Sequence, residues 1–303
     1  MVSLSLAIIG VNAPIRVNDR ADDESRIISL QIPDGTALRE PIRLHFDHQK
    51  NEAATRVRIV VGKRARAIVF EELRSSTDAP WSHAVEVILD EEASLECVSL
   101  QAAQPMQRLI LQQSSRVGEG ASISWRNATL GGGTVKHDLR SNVLGENAAS
   151  SIDWIFYASD DECYELSARN VFEGRNGSGE ITMKGVAEEN GHVNAKGMIE
   201  IGNSGGGTET YLTQNVLMLD KTAKVDAIPH LEIKTNDVKA SHSASIARVT
   251  EEDLFYFATR GIDRREARGM FVMGFLGDLA GKIGDTPARE KVLEAIRAKF
   301  VKS

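Results

Sequence analysis

Residues 236–249, NDVKASHSASIARV, combine one histidine with small side chains at alternate positions just before a predicted helix. An imidazole can move protons near neutral pH or ligate a transition metal, so His242 is the first candidate for chemistry. The chain contains seven histidines, which are His45, His48, His83, His137, His192, His230 and His242. Only His45 and His48 have ligand-like spacing, but residues three apart on a strand face opposite sides, which disfavours a shared metal.

The sequence motifs of common enzymes are absent. No GxSxG nucleophile elbow occurs, and the Gly281-Lys282 pair lacks the other residues of a phosphate-binding loop. Acidic pairs such as Glu71 and Glu72 mostly fall at predicted turns, where solvated charge is a simpler explanation than paired acid-base catalysis. We therefore expect a protein that is not an enzyme.

Composition and charge narrow the class further. The chain has 303 residues, a net charge of −7 and a pI of about 5.6, which disfavours a nucleic-acid-binding surface. Cys97 and Cys163 lie far apart without CxxC spacing, which fits a reduced cytoplasm. The opening residues alternate at Leu4, Leu6 and Ile8 and lack a basic region, which predicts an edge strand rather than a signal peptide. No apolar run reaches the roughly 18 residues of a membrane span.

Residues 42–249 repeat a pattern of short β-branched segments separated by glycine or Asn/Asp turns. Alternation at Val57, Ile59 and Val61 predicts strands with one buried face. No amphipathic helix long enough for a crossover lies between these segments, which leaves a sandwich, a barrel or a β-solenoid. Small residues beside the turns favour the solenoid, because bulky corners would keep stacked coils apart, although a sandwich has similar strand spacing.

The periodicity becomes helical at Thr250. Thr250 and Asp263 are predicted N-caps, and Gly261 ends the first helix. The second helix carries a predicted apolar stripe of Ala267, Met270, Phe271, Gly274 and Phe275. A third helix is predicted with Thr286 as its N-cap and Pro287 as its first residue, and with Val292, Leu293, Ile296 and Phe300 on one side. Such stripes either cover the β-domain or bind a partner.

These patterns divide the chain into three parts. We predict an N-terminal strand and loop segment over residues 1–41, a β-helix core over 42–249 and a helical domain over 250–303. The fold class is therefore mainly β, with a small α-helical domain at the C-terminus.

Residues 210–279 carry a run of motifs that resemble the SufB/SufD family of the SUF iron-sulfur cluster assembly system. The motifs are a strand at Pro229–Ile233, a DVKxSH run at 237–242, a Phe-Tyr pair at 255–256 and an Arg-Gly-Ile run at 260–262. A looser resemblance extends back to about residue 42, so it covers most of the chain.

The resemblance implies a right-handed parallel β-helix followed by a helical domain, in a cytoplasmic complex. Two such subunits would pair through their β-helices, so the partner is either a SufB-like subunit or a second copy. The implied interface residues are Asp237, Val238, Lys239, Ser241 and His242. The helical domain would bind SufC, an ABC-type ATPase, and the implied docking residues are Phe255, Tyr256, Met270, Phe271 and Phe275.

The family usually carries Cys-x-His in this run, where a nascent iron-sulfur cluster is thought to form. Here Ala240 occupies the cysteine position and only His242 remains, which fits a SufD-like member better than a SufB-like one. Because alanine cannot ligate iron, His242 could supply one ligand to a transient cluster, with thiolates from a partner or from Cys97 or Cys163. The implied function is a non-catalytic scaffold subunit. The alternatives are a divergent structural homodimer and a carbohydrate-active β-helix enzyme.

Overall fold

The fold is a two-sheet β-structure with three helices at its C-terminal end. A computed structural model describes residues 16–21, 25–48, 54–75, 77–102 and 107–302, of which strands form the majority. The edge strand predicted around Leu4, Leu6 and Ile8 lies outside the described residues.

Seventeen strands of the described residues form two sheets. Sheet A contains β1 (Arg16–Ala21), β2 (Ser25–Ile32), β4 (Ala54–Val61), β6 (Trp81–Leu89), β8 (Arg108–Val117), β10 (Thr134–Val143), β12 (Cys163–Phe172), β14 (His192–Ile201) and β16 (Lys224–Ile233). Sheet B contains β3 (Ile42–His48), β5 (Arg66–Ser75), β7 (Ser94–Gln101), β9 (Ser122–Thr129), β11 (Ala149–Ala158), β13 (Ser178–Ala187), β15 (Thr208–Met218) and β17 (Val238–Arg248).

The strand order confirms the solenoid and excludes the sandwich. Even-numbered strands follow one another along sheet A from β2 to β16, and odd-numbered strands follow one another along sheet B. Every pair after β1–β2 is parallel, so the chain alternates between the sheets through about seven coils. We predicted that the β-helix begins at residue 42, whereas β2 already pairs in parallel with β4 and the coils therefore begin at Ser25.

The core lies between the two sheets. Side chains alternate along each strand, as in β8, where Leu109 and Leu111 are buried and Ile110 is exposed. Trp125 and Trp154 are fully buried at the centre of this core. The outer face of sheet B is also buried at Phe70, because the helices cover it, whereas the outer face of sheet A faces solvent.

The helices follow their predicted caps, with one difference. α1 (Glu251–Ala258) begins with a capping box between Thr250 and Asp253, and α2 (Arg264–Ala280) has Asp263 as its N-cap. α3 (Thr286–Lys302) is capped by Asp285, whose carboxylate accepts a hydrogen bond from the Ala288 amide at 2.9 Å. The prediction that Thr286 caps this helix was therefore wrong by one residue.

The buried face of α2 also differs from the predicted stripe. Val272 and Leu276, which the predicted stripe omitted, are buried against sheet B and α3, and Ala267 of the stripe is buried, whereas Met270 of the stripe is exposed. The helix has apolar residues on more than one side, so its contact with sheet B, rather than the 3.6-residue period alone, decides which side is covered.

Ion pairs at the edges of the apolar contact attach the helices to sheet B and to a neighbouring turn. The Lys299 ammonium lies 2.6 Å from the Glu162 carboxylate, and the Lys291 ammonium lies 2.9 Å from Glu72. Burial alone would raise the pKa of Glu72, but hydrogen bonds from Lys291 and Arg74 outweigh it and the pKa is lowered. The helical unit is thus held on the solenoid by both apolar and charged contacts.

None of the three helices has the length and apolar character that crossing a bilayer would require, over the part of the chain that the structure describes.

A column of glycines lets successive coils approach at one corner. Gly145 and Gly174 occupy the same turn position in neighbouring coils, and a Cβ added at Gly174 would overlap the carbonyl oxygen of Gly145. Gly202 occupies the equivalent turn one coil later, but a Cβ there would lie 3.5 Å from its nearest neighbour, the Phe172 carbonyl oxygen. Only the first two positions therefore require glycine for steric reasons.

We predict that Gly174→Ala lowers the free energy of unfolding by about 1–3 kcal/mol, because a backbone neighbour cannot move aside as a side chain can. Gly202→Ala, the matched control, should change it by less than about 1 kcal/mol in either direction. Urea unfolding followed by circular dichroism measures both. Equal destabilisation by the two substitutions would contradict the steric account.

His83 and His137, like His48, lie buried inside the solenoid. His83 Nε2 is 3.2 Å from a Glu71 carboxylate oxygen. The His137 ring packs edge-on against Trp154 with centroids 4.4 Å apart, and neither of its nitrogens has a hydrogen-bond partner among the described residues. Burial, reinforced by the nearby His83, lowers the pKa of His137 to about 3.

We predict that this histidine makes stability depend on pH. Above the ordinary histidine pKa of 6.5, His137 is neutral in both states and has no effect. Between pH 6.5 and about 3 the unfolded chain takes up a proton that the folded chain does not. The free energy of unfolding therefore decreases as the pH is lowered, by up to about 1.4 kcal/mol per pH unit.

The measurement is urea unfolding at several pH values, in wild type and in His137→Leu. The variant should lose less stability than wild type between pH 6.5 and 4, whereas His230→Leu, at an exposed position, should keep the wild-type dependence. Parallel profiles for wild type and His137→Leu would contradict the prediction.

Candidate functional site: the open end of the solenoid

The last coil, formed by β16 and β17, ends the solenoid without a further coil over it. β16 is the last strand of sheet A and β17 the last strand of sheet B, and no other described strand pairs with their outer edges. At the opposite end, β1 lies antiparallel on β2 and covers the edge of sheet A. An uncovered pair of strand edges is a template for pairing with another chain.

The inward-facing side chains of β17 have lost the cover that interior coils provide. Parallel register places His242 over Leu212 and Ile246 over Val216, and both residues beneath are fully buried. Ile246 itself is 49% exposed and His242 is also exposed. The exposure therefore results from the missing next coil, and the orientation of these side chains is that of a core residue.

The facing strand β16 contributes a second apolar row. Val225 and Leu231 lie over the buried Val193 and Ile199 and are only partly covered, and Ile233 is 41% exposed. Together the two strands present the inner faces of a coil that is complete in sequence pattern but uncovered on one side. Such an apolar surface is typical of a protein-protein contact.

The predicted interface residues divide between the two faces of β17. Val238 and His242 belong to the inward row, whereas Lys239 and Ser241 face outward. The Lys239 ammonium lies 3.4 Å from a Glu209 carboxylate oxygen on the neighbouring strand. Asp237 precedes the strand, and its backbone oxygen accepts a hydrogen bond from the Gly207 amide.

The sequence interpretation omitted Ile246 and Ile233. The two-residue alternation from Val238 through Ala240 to Ile246 was available in the sequence and could have identified Ile246. Ile233 carries no such local signal, because its exposure depends on β16 being the last strand of sheet A.

Neither thiol is near His242. Cys97 occupies the same stacked column as His242, but Trp125, Ile152, Ile181 and Leu212 fill the positions between them, and the two lie about 24 Å apart at the usual strand spacing. Burial, with the charges of Glu71 and Glu96, raises the pKa of the Cys97 thiol well above its ordinary value.

Cys163 lies on the outer face of sheet A, beside His192 in the register. Burial and the nearby Glu165 raise the pKa of its thiol, which disfavours the thiolate that ligates metals. Within the described ranges, no group of three or more His, Cys, Asp or Glu side chains is arranged to hold a metal ion. His242 can therefore act only as a single ligand supplied to a site completed elsewhere.

The candidate residues of the helices differ in exposure. Phe255 and Tyr256 on α1 are 69% and 55% exposed, and Met270 on α2 is 49% exposed. Phe271 and Phe275 are half-buried and pack against the apolar contact with sheet B.

Tyr256 belongs to a small aromatic group. The Arg260 guanidinium lies 4.0 Å from the centre of the Tyr256 ring, and Phe257 meets Phe271 edge-on with centroids 5.4 Å apart. The aromatic side chains of α1 are thus anchored on one side and open to solvent on the other.

Comparison with known proteins agrees with this architecture. The family model described as "SUF system FeS cluster assembly, SufBD core domain" matches residues 45–275. The iron-sulfur cluster assembly protein SufD of Escherichia coli (strain K12) is 25% identical over 274 residues, which cover 89% of this chain and 62% of that protein.

Staphylococcal relatives give the same family. An iron-sulfur cluster assembly SufBD family protein of Staphylococcus epidermidis is 25% identical over 253 residues, which cover 82% of this chain and 54% of that protein. The chain thus spans about half the length of such relatives. Because the family match includes both the coils around His242 and most of α2, the protein belongs to the SufBD family of SUF-system iron-sulfur cluster assembly proteins.

Proposed function

We propose that this chain is a non-catalytic scaffold subunit of a SUF iron-sulfur cluster assembly complex, with a cytoplasmic location. It pairs through the open end of its solenoid with a second β-solenoid subunit, either a SufB-like protein or another copy of itself. It binds a SufC-type ATPase through its helical unit. The observation that carries this proposal is the uncovered apolar coil of β16 and β17 in a SufBD family member.

Pairing at this end has a direct physical reason. A second solenoid that presents its own edge strands would satisfy the free backbone N–H and C=O groups of β16 and β17. It would also cover Leu231, Ile233 and Ile246, whose exposure costs hydrophobic stabilisation of about 25 cal/mol per Å². Mixed charges beside the edge, such as the Lys234–Glu232 pair at 2.8 Å, suit a polar rim around the apolar centre.

The cluster itself is cargo in this proposal. His242 would contribute one imidazole ligand at the pairing edge, and the thiolates would come from the partner, because Cys97 is too remote and Cys163 is on the outer face of sheet A. Ala240 makes the chain an assisting subunit in cluster formation, as the SufD-like resemblance implies. No catalytic role is assigned to any of its residues.

The exposed aromatics of α1 support ATPase docking. Phe255 and Tyr256 are rigid apolar side chains that bury a large area at low entropic cost on binding. Phe271 and Phe275 are half-buried, and their role would instead be to hold α2 against the solenoid. Docking through α1 and Met270 therefore needs no rearrangement of the helical unit.

We predict that Ile246→Glu abolishes pairing at the open end, because it places a charge on the surface that must be buried. Sedimentation velocity of the chain alone and with its SufB-like partner measures the association. Ile110→Glu, at an equally apolar and exposed position on the outer face of sheet A, is the matched control and should leave pairing intact. Loss of pairing in both variants, or in neither, would contradict the open-end interface.

We predict that Phe255→Asp combined with Tyr256→Asp abolishes copurification with the SufC-type ATPase of the same genome after co-expression. Val301→Asp, at an exposed apolar position on α3, is the control and should retain the ATPase. These exposed positions test docking without disturbing the core. If wild type captures no ATPase while both proteins are folded, the divergent structural homodimer becomes the better description.

A further inference from the structure

The outer face of sheet A carries a groove that is separate from both the open end and the helices. The groove has a volume of about 690 Å³ and crosses the strands from β2 to β12. Volumes in this range are typical of ligand sites. The helices cover sheet B, so no described helix lies over the groove.

Parallel register builds the groove from two adjacent rows of outward side chains. One row includes Arg56, Ala84 and Asp138, and the other includes Arg58, Ser114 and Arg140. The small side chains of Ala84 and Ser114 form a floor at the centre. Long charged side chains stand on β4 at one end of this floor and on β10 and β12 at the other.

Arginine side chains lie at both ends of the groove. Arg56 and Arg58 lie at the β4 end, and Arg140 and Arg169 lie at the other end. Arg58 is 3.5 Å from the Glu86 carboxylate and Arg169 is 3.0 Å from Glu200, so each of these is partly neutralised.

Two arginines of the groove lack a carboxylate partner. Arg140 donates a hydrogen bond to the Asn142 side chain, and Arg56 has no ion pair with any described residue. One available guanidinium therefore stands at each end of the groove. Asp138 lies half-buried at the β10 end, two residues before Arg140 on the same strand and in the same row as Arg56.

The spacing of the arginines sets the spacing of a ligand's acidic groups. Three strand steps separate β4 from β10, which is about 14 Å, and Arg140 lies two residues further along its strand than the register partner of Arg56, so the two Cα atoms are about 16 Å apart. An extended peptide rises about 3.3 Å per residue, so side chains four residues apart lie about 13 Å apart on the same face, and two long guanidinium side chains can reach across the difference. Near the end of the peptide bound to Arg140, a backbone N–H could donate to the Asp138 carboxylate.

Other anionic ligands fit less well. The groove lining includes no aromatic side chain on which a nucleobase or a sugar could stack. A uniformly charged polyanion such as RNA or polyphosphate would meet the carboxylates of Glu86 and Asp138 within the groove, which opposes binding. The net charge of −7 adds long-range repulsion against nucleic acid.

We propose that this groove binds an extended acidic peptide segment of a partner protein, with two carboxylate side chains four residues apart. Arg56 and Arg140 each bind one carboxylate, since a guanidinium matches carboxylate geometry with two hydrogen bonds. Ala84 and Ser114 allow the peptide backbone to approach the sheet, and Asp138 fixes its position along the groove.

The test is fluorescence anisotropy of the full chain with a fluorescein-labelled eight-residue peptide that has glutamates at its third and seventh positions. We expect saturable binding that weakens at least tenfold in Arg56→Glu combined with Arg140→Glu. Arg108→Glu, on the same face but outside the groove, should bind as wild type. A peptide with adjacent glutamates should bind more weakly, because it cannot reach both arginines.

Three outcomes would overturn the proposal. They are absence of saturable binding up to millimolar peptide, equal loss in Arg108→Glu, and tighter binding of labelled single-stranded RNA or tripolyphosphate that the double variant abolishes. Because the substitutions are on the sheet opposite the helices and away from β16 and β17, association with the ATPase and with the second solenoid serves as a check that the double variant remains folded.

Discussion

Parallel stacking of the coils is the constraint on which the rest of the structure depends. Successive coils follow at the strand spacing of about 4.8 Å, so each side chain lies over the equivalent one of the coil before. Trp125, Ile152, Ile181 and Leu212 form one such column, and a single apolar register position thereby becomes a continuous core. Neighbouring coils approach so closely at one corner that their backbones are in contact, which is why position 174 is a glycine.

The same constraint creates the surfaces available for function. On the outside, register aligns side chains from six strands of sheet A into two rows, so residues remote in sequence, such as Arg56 and Arg140, line one groove. At the end of the stack it leaves the inward rows of β16 and β17 uncovered. Inside the solenoid the next coil covers each apolar row, and at the open end no described strand does so.

Apart from the solenoid, which the turn pattern and the family resemblance predicted, the features predicted correctly are local ones. Strand alternation at Val57 and Ile59, the Thr250 capping box and the left-handed Gly261 after α1 all depend on neighbouring residues, and each is present. The face of α2 that is buried could not be predicted, because it depends on sheet B, which is formed from residues far away in the chain. For the same reason Phe70 is buried on the outward face of its strand.

The candidate site followed the same division. Resemblance identified His242, and alternation could have added Ile246, but neither could establish that β17 is the last strand of its sheet. The distance from Cys97 to His242 likewise required the register. Cys97 and His242 lie in the same stacked column, but the coils between them separate the two residues by about 24 Å. The Cys97 thiol is therefore excluded as a second ligand beside His242.

The helical unit adds a mechanical consequence to this arrangement. α2 and α3 are attached to the solenoid by apolar contacts with sheet B and by ion pairs such as Lys291–Glu72, and separating them would leave charges buried without partners. α1 has only Leu254 buried and follows β17 after the two residues Val249 and Thr250. A partner bound to α1 would therefore act first on the edge strand that carries His242, while the remaining helices stay fixed on the solenoid.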